Sequence, residues 1–199
     1  MTLANRITIT RFLFIPVFVT LTLYYIESVH AEHANEWLRR AAIIVFVVTA
    51  LTDAVDGYVA RSRGERTRLG TLLDPLADKT LLMTGLILLT GPWSRTFVPH
   101  IPLWYAILVI SRDSLLIVGW FVIHHTVGHV EVQPRISGKM ATVFQMAIIL
   151  WVLCAGPIKP FFWILAAAAL CTLTSAALYI LDGVQQLEKA HPGEHPAPR

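Results

Sequence analysis

Residues 53–78 read DAVDGYVARSRGERTRLGTLLDPLAD, four aspartates and four arginines inside a chain otherwise dominated by Leu, Ile, Val and Phe. Residues three or four apart share one face of a helix. Asp53 with Asp56, and Asp74 with Asp78, therefore make two acidic pairs, one closing a helix and the other opening the next. This stretch decides the fold, because it requires two helices to meet at their charged ends while the rest of each runs through apolar sequence.

The surrounding composition says what those helices run through. Of 199 residues, 55% are hydrophobic and 15% charged, and the mean hydropathy is +0.61. That balance is unlike a water-soluble domain and predicts an all-α integral membrane protein. The formal charge of +3 suits contact with anionic lipid headgroups, and with no nucleic-acid motif in the chain we expect no DNA or RNA partner. Cys154 and Cys171 both lie in apolar runs, which predicts reduced packing residues rather than a disulfide framework.

Charge-free stretches run over residues 12–26, 41–52, 80–94, 96–111, 140–158 and 160–181. Several fall short of the roughly 20 residues a spanning helix needs, so the helices must extend into charged flanks. The expected arrangement is six transmembrane helices near 6–27, 36–61, 71–91, 101–124, 137–156 and 159–187. Residues 1–187 form one catalytic membrane domain in this reading, and the polar, Pro-rich residues 188–199 a disordered cytoplasmic tail. An even helix count gathers Arg6, Arg11, Arg61, Arg63, Arg66, Arg68, Arg135, Lys139 and Lys189 on one side, which the positive-inside rule places in the cytoplasm. Trp37, Trp93, Trp104 and Trp163 fall on the other side as an interfacial belt. Arg6 and Arg11 ahead of an apolar run that ends in SVHA also resemble a cleavable secretory signal; cleavage would discard the polar residues 5–8, which carry a motif of their own.

Burying a carboxylate near hydrocarbon costs about 2.5 to 3.5 kcal/mol even on insertion scales, and neighbouring like charges raise that cost. A cation must offset four of them. Hard oxygen donors without His or Cys alongside select Mg2+ over softer metals, with Mn2+ or Ca2+ as lesser candidates. Four carboxylates suffice for two such ions, the arrangement that clamps phosphoryl groups during in-line displacement. Gly57, Ala60 and Gly70 keep the walls of this region low, and Pro75 is expected in the first turn of the third helix, where its missing N–H is no loss.

The spacing resembles the signature of the CDP-alcohol phosphotransferase family, D-x2-D-G-x2-A-R-x8-G-x3-D-x3-D, with Asp53, Asp56, Gly57, Ala60, Arg61, Gly70, Asp74 and Asp78 at its fixed positions. The resemblance implies the CDP-alcohol phosphotransferase fold and an integral membrane enzyme of the inner (cell) membrane. Such an enzyme is usually a homodimer, with its active site facing the cytoplasm, and transfers a phosphatidyl group from CDP-diacylglycerol to an alcohol. It further implies Asp53, Asp56 and Asp74 as metal ligands and Asp78 as both ligand and general base. Gly57, Ala60 and Arg61, with Thr67, would lie along the nucleotide, where the planar Arg61 fork suits phosphate oxygens. The N-terminal NRITITR resembles the family's lead-in, which adds Asn5 and Thr8 to the donor site; taken alone, Asn5 reads equally as a helix cap.

The acceptor is read from the later helices. Arg112 and Asp113 sit in the apolar fourth helix, and an intramembrane arginine is a functional hypothesis by default. Arg112, Arg135 and Lys139 together would make a cationic pocket for a phosphorylated acceptor. Gly138, Lys139, Thr142 and Gln145 resemble the G-K-x2-T-x2-Q stretch of the branch that uses glycerol 3-phosphate, whereas Asp113 resembles the branch that takes phosphatidylglycerol; glycerol 3-phosphate is the favoured acceptor. The competing structural reading pairs Arg112 with Asp113 or a polar group of another helix and lets Lys139 snorkel. A cation or proton carrier with buried acids would spread them at several depths, whereas here they crowd one end of one helix pair. His124, His125 and His129 lack a companion ligand for a zinc site and read as an interfacial cluster.

Overall fold

The computed structural model describes the backbone of residues 3–63, 68–91, 96–127 and 136–190, and the side chains of residues 13–52, 79–91, 96–119, 121, 125 and 136–184. Six helices follow in order: α1 (Leu3–His30), α2 (Glu36–Arg63), α3 (Arg68–Thr90), α4 (Leu103–Val127), α5 (Ile136–Leu153) and α6 (Ile158–Ala190). Leu13–His30, Ile136–Leu153 and Ile158–Val184 are long and apolar enough to cross a membrane, and Lys79–Thr90 is a shorter apolar segment. Outward-pointing residues such as Leu13, Ile44, Ile117, Phe121 and Leu170 are exposed along the helices, which fits a lipid solvent rather than water. Trp37, Trp104 and Trp163 are exposed as interfacial anchors would be; Trp93 lies outside the described residues.

The first compact unit comprises residues 1–103 and 146–161. Here α1 packs against both α2 and α3. Phe18 of α1 and Phe46 of α2 meet with ring centroids 5.5 Å apart, both nearly devoid of exposed surface. Two buried hydroxyls of this core are satisfied locally, Thr22 donating to the Phe18 carbonyl at 2.8 Å and Thr49 to the Val45 carbonyl at 2.6 Å. A β-carbon on Gly85 of α3 would lie 3.2 Å from Ile149 Cδ1, so the glycine sets how closely α3 approaches the second half of α5.

Two helix ends in this unit stop by the same device. After α1, Glu32 adopts φ 60°, its N–H bonds the Val29 carbonyl at 3.1 Å, and His33 N–H reaches the Ser28 carbonyl at 3.0 Å. After α5, Ala155 adopts φ 52°, its N–H bonds the Val152 carbonyl, and Gly156 N–H reaches the Trp151 carbonyl at 2.9 Å. Both are Schellman motifs built on a left-handed non-glycine residue. They explain why α5 ends at Leu153, short of the expected residue 156. Asn35 then caps α2: its Oδ1 accepts from Trp37 N–H at 3.1 Å, and Glu36 in the first turn pairs with Arg39 at 2.7 Å.

The second unit comprises residues 104–145 and 162–199. Tyr179 of α6 donates to the Leu116 carbonyl of α4 at 3.1 Å. Its ring lies so close to Gly119 that a β-carbon there would be 2.8 Å from Cε1. This small residue admits the aromatic ring between α4 and α6.

Two expectations shift with the start of α3. The helix begins at Arg68, so Gly70 lies within its first turn and Pro75 about two turns in, instead of opening it. RLGTLL holds no proline to delay the start of the helix. Asn5 likewise lies inside α1 and is not its cap, because helical backbone already begins at Leu3.

Candidate active site

The acidic signature is carried on regular helical backbone. Asp53, Asp56, Gly57, Ala60 and Arg61 occupy the last turns of α2, and Gly70, Asp74 and Asp78 the first turns of α3. The two ends are joined by residues 64–67 alone, a link that spans at most about 18 Å. Both helices pack on α1, and they also contact each other. Thus one end of the α2–α3 pair carries all four aspartates, as the spacing predicts.

The side chains of residues 53–78 lie outside the described residues, as do those of Asn5 and Thr8 in the first turns of α1; Thr67 and Arg135 lie outside altogether. The described residues hold no group of three or more His, Cys, Asp or Glu placed to bind a metal, and the four aspartates are not among them. What bears on a metal is the chemistry of the donor set: four carboxylates on two adjoining helix ends, with no thiol or imidazole in the stretch, suit hard divalent cations such as Mg2+.

The second polar cluster is described atom by atom. Arg112 on α4 donates from Nη1 to Asp113 Oδ1 at 2.7 Å, the two side chains being 12% and 9% exposed. From Nη2 it donates to Ser175 Oγ on α6 at 2.9 Å. A guanidinium carries five N–H donors, and Arg112 Nε, buried, meets no acceptor among the described residues. Gly138 in the first turn of α5 completes the cluster, since a β-carbon there would lie 3.1 Å from Arg112 Nη2 and 3.5 Å from Ser175 Oγ.

Of the three basic residues expected around an acceptor, the structure therefore places Arg112 in a half-buried, partnered setting and Lys139 on an exposed position one residue past Gly138. The pairing with Asp113 and with a polar group of another helix, raised from the sequence as the competing role for Arg112, is present; an arginine so held retains an unused donor edge. Gln145, buried on α5, also leaves its amide nitrogen without a partner among the described residues, while Thr142 returns its hydroxyl to the Gly138 carbonyl at 3.2 Å. Ser175 had no signal in the sequence, being one small hydroxyl residue among several in an apolar helix.

The sequence profile of the CDP-alcohol phosphatidyltransferases matches residues 1–175, which takes in α1 through most of α6. The chain belongs to the CDP-alcohol phosphatidyltransferase family. A probable phosphatidylglycerophosphate synthase of Mycobacterium tuberculosis is 32% identical over 191 residues, covering 94% of this chain and 81% of that protein. The CDP-diacylglycerol-glycerol-3-phosphate 3-phosphatidyltransferases of Bacillus subtilis and Escherichia coli are 33% identical over 147 residues and 29% identical over 192. These alignments cover 72% and 92% of this chain, and the same shares of the two relatives. The match of a CDP-alcohol phosphatidyltransferase across both compact units sets the carrier reading of the buried acids aside. It also makes the long apolar helices those of an integral membrane enzyme.

Proposed function

We propose that the protein transfers a phosphatidyl group from CDP-diacylglycerol to glycerol 3-phosphate, giving phosphatidylglycerophosphate and CMP. The observation that carries this reading is the likeness, over more than nine-tenths of the chain, to enzymes named for that product or that pair of substrates. The eight signature residues and the half-buried Arg112 support it from within the chain.

In this reading all six helices span the bilayer, residues 1–187 form the catalytic domain, and residues 188–199 form a cytoplasmic tail. The acidic end of α2 and α3 faces the cytoplasm, and two copies associate in the cell membrane. Asp53, Asp56, Asp74 and Asp78 hold two Mg2+ ions. Bound there, the ions supply positive charge to the pyrophosphate and to the departing CMP. Asn5, Thr8, Gly57, Ala60, Arg61, Thr67 and Gly70 line the nucleotide end of the donor, with Arg61 gripping phosphate oxygens through two parallel N–H bonds.

Asp78 takes the proton of the glycerol hydroxyl as its oxygen attacks the phosphatidyl phosphorus. One P–O bond forms to the acceptor, the P–O bond to the bridging oxygen breaks, and CMP leaves with that oxygen. Arg112, with Arg135 and Lys139, binds the acceptor's phosphate; the ion pair with Asp113 and the bond to Ser175 leave the Arg112 guanidinium three further N–H groups. Holding the acceptor by its phosphate converts a bimolecular attack into an oriented one.

The test is CMP release by the purified protein in mixed micelles with CDP-diacylglycerol and Mg2+. Release on adding glycerol 3-phosphate, with phosphatidylglycerophosphate as product, is the expected result. Release with phosphatidylglycerol but not with glycerol 3-phosphate overturns the choice of acceptor.

A further inference from the structure

We propose that Ser175, together with Gly138, positions the Arg112 guanidinium from two other helices, so that its remaining N–H groups are held in a single orientation for the acceptor. The proposal rests on the assignment of Arg112 to the acceptor phosphate.

The hydroxyls of the neighbouring residues show what a helix hydroxyl in this chain ordinarily does. Thr172 donates to the Ala168 carbonyl at 2.7 Å and Thr174 to the Leu170 carbonyl at 2.9 Å, each serving its own helix. Ser175, 7% exposed, instead receives the Arg112 Nη2 donor from a residue 63 positions away in sequence. Asp113 fixes Nη1 from the same helix, and Gly138 leaves room for Nη2, since a β-carbon there would lie 3.1 Å from it. Two hydrogen bonds on separate nitrogens determine both the position and the plane of a guanidinium, which one ion pair does not. Three N–H groups remain, among them that of Nε, which is buried and without a partner among the described residues.

The geometry also specifies why α5 opens with glycine next to Lys139. A β-carbon at position 138 would meet the guanidinium at 3.1 Å, so Nη2 would have to shift by a few tenths of an ångström against its bond to the serine. Ser175 and Gly138 touch Arg112 rather than the substrate, so both are positioning residues.

The experiment compares KM for each substrate in Ser175→Ala, Gly138→Ala, Arg112→Lys and the Ser175→Ala/Arg112→Lys pair, using the full-length protein in mixed micelles. Ser175→Ala is expected to raise KM for glycerol 3-phosphate about tenfold, as loss of a hydrogen bond to a charged group does. KM for CDP-diacylglycerol and the melting temperature should hold. Gly138→Ala should show the same acceptor-specific rise from the other side. In the Arg112→Lys background, Ser175→Ala should add less than about twofold, because both act through one group.

A Ser175→Ala protein whose acceptor KM stays within about twofold while Arg112→Lys raises it overturns the positioning role. A parallel rise in both KM values with a lowered melting temperature marks a packing role and equally overturns it. An Arg112→Lys protein with unchanged acceptor KM instead removes the assignment of Arg112 itself. For variants that turn over too slowly, thermal stabilisation of the purified protein by glycerol 3-phosphate gives the same comparison.

Discussion

Arg112 of α4 and Ser175 of α6 meet through a 2.9 Å hydrogen bond, in the same unit where Tyr179 of α6 donates to the Leu116 carbonyl of α4. The arginine is also paired with Asp113 at 2.7 Å, so its charge is balanced where an isolated one would cost several kcal/mol, by insertion scales about 2.5 to 3.5. In the proposed reading charge compensation and function coincide at this point: the partners that make the arginine tolerable also aim it.

Replacement of Asp78 by Asn tests the assigned base. The amide is isosteric and cannot take a proton, so turnover should fall by about a hundredfold or more while the protein stays monodisperse and binds CDP-diacylglycerol. CMP release at near the parent rate would remove Asp78 from that role.

Chelation with EDTA should stop CMP release, and Mg2+ should restore it, with Mn2+ as a working substitute. Asp53→Asn or Asp74→Asn should raise the Mg2+ concentration needed for half-maximal rate, because each removes a carboxylate from the proposed site. Undiminished release in chelator would exclude the two-ion reading.

Phe18→Ala removes a ring that is fully buried against Phe46 at 5.5 Å between centroids. Lipid is as apolar as the core, so the transfer contribution shrinks and the cavity contribution dominates; the expected loss is about 3 kcal/mol, the low end for such truncations. A fall in melting temperature in detergent measures it. An unchanged melting temperature would show that the α1–α2 contact contributes little.

At Gly119 two effects of opposite sign compete. Alanine raises helix propensity by about 1 kcal/mol, whereas its β-carbon at 2.8 Å from the Tyr179 ring overpacks by about 1 to 3 kcal/mol. Displacing the ring also breaks the Tyr179 to Leu116 hydrogen bond, so destabilisation should win. The paired variant Gly119→Ala/Tyr179→Leu should recover part of the loss, and a more stable Gly119→Ala protein would show that the ring moves freely.

Membrane orientation is open to cysteine labelling in a background lacking Cys154 and Cys171. A cysteine at position 63 should react with an impermeant maleimide only after the cell membrane is opened, and one at position 33 in intact cells. The reverse pattern would turn the proposed topology over.

Much of this was legible in the chain itself, for reasons that differ by residue. Six helices and most of their ends follow from hydropathy runs and charged flanks, and the acidic signature from spacing within a continuous helix, where i, i+3 and i+4 share a face whatever the helix packs against. The left-handed turns at Glu32 and Ala155 were not legible, because neither position bears the glycine that usually marks such an end.

The sequence by itself thus determined the family, the number and order of helices, and where along them the four aspartates fall, since each of these is written in local periodicity and fixed spacing. Only the tertiary structure decided that Ser175 and Gly138 close on Arg112, that Tyr179 lies over Gly119, and that Phe18 faces Phe46. Such pairings depend on how each helix is rotated and set in height against another. Chains of similar hydropathy satisfy that packing in many ways, and one-dimensional spacing does not choose among them.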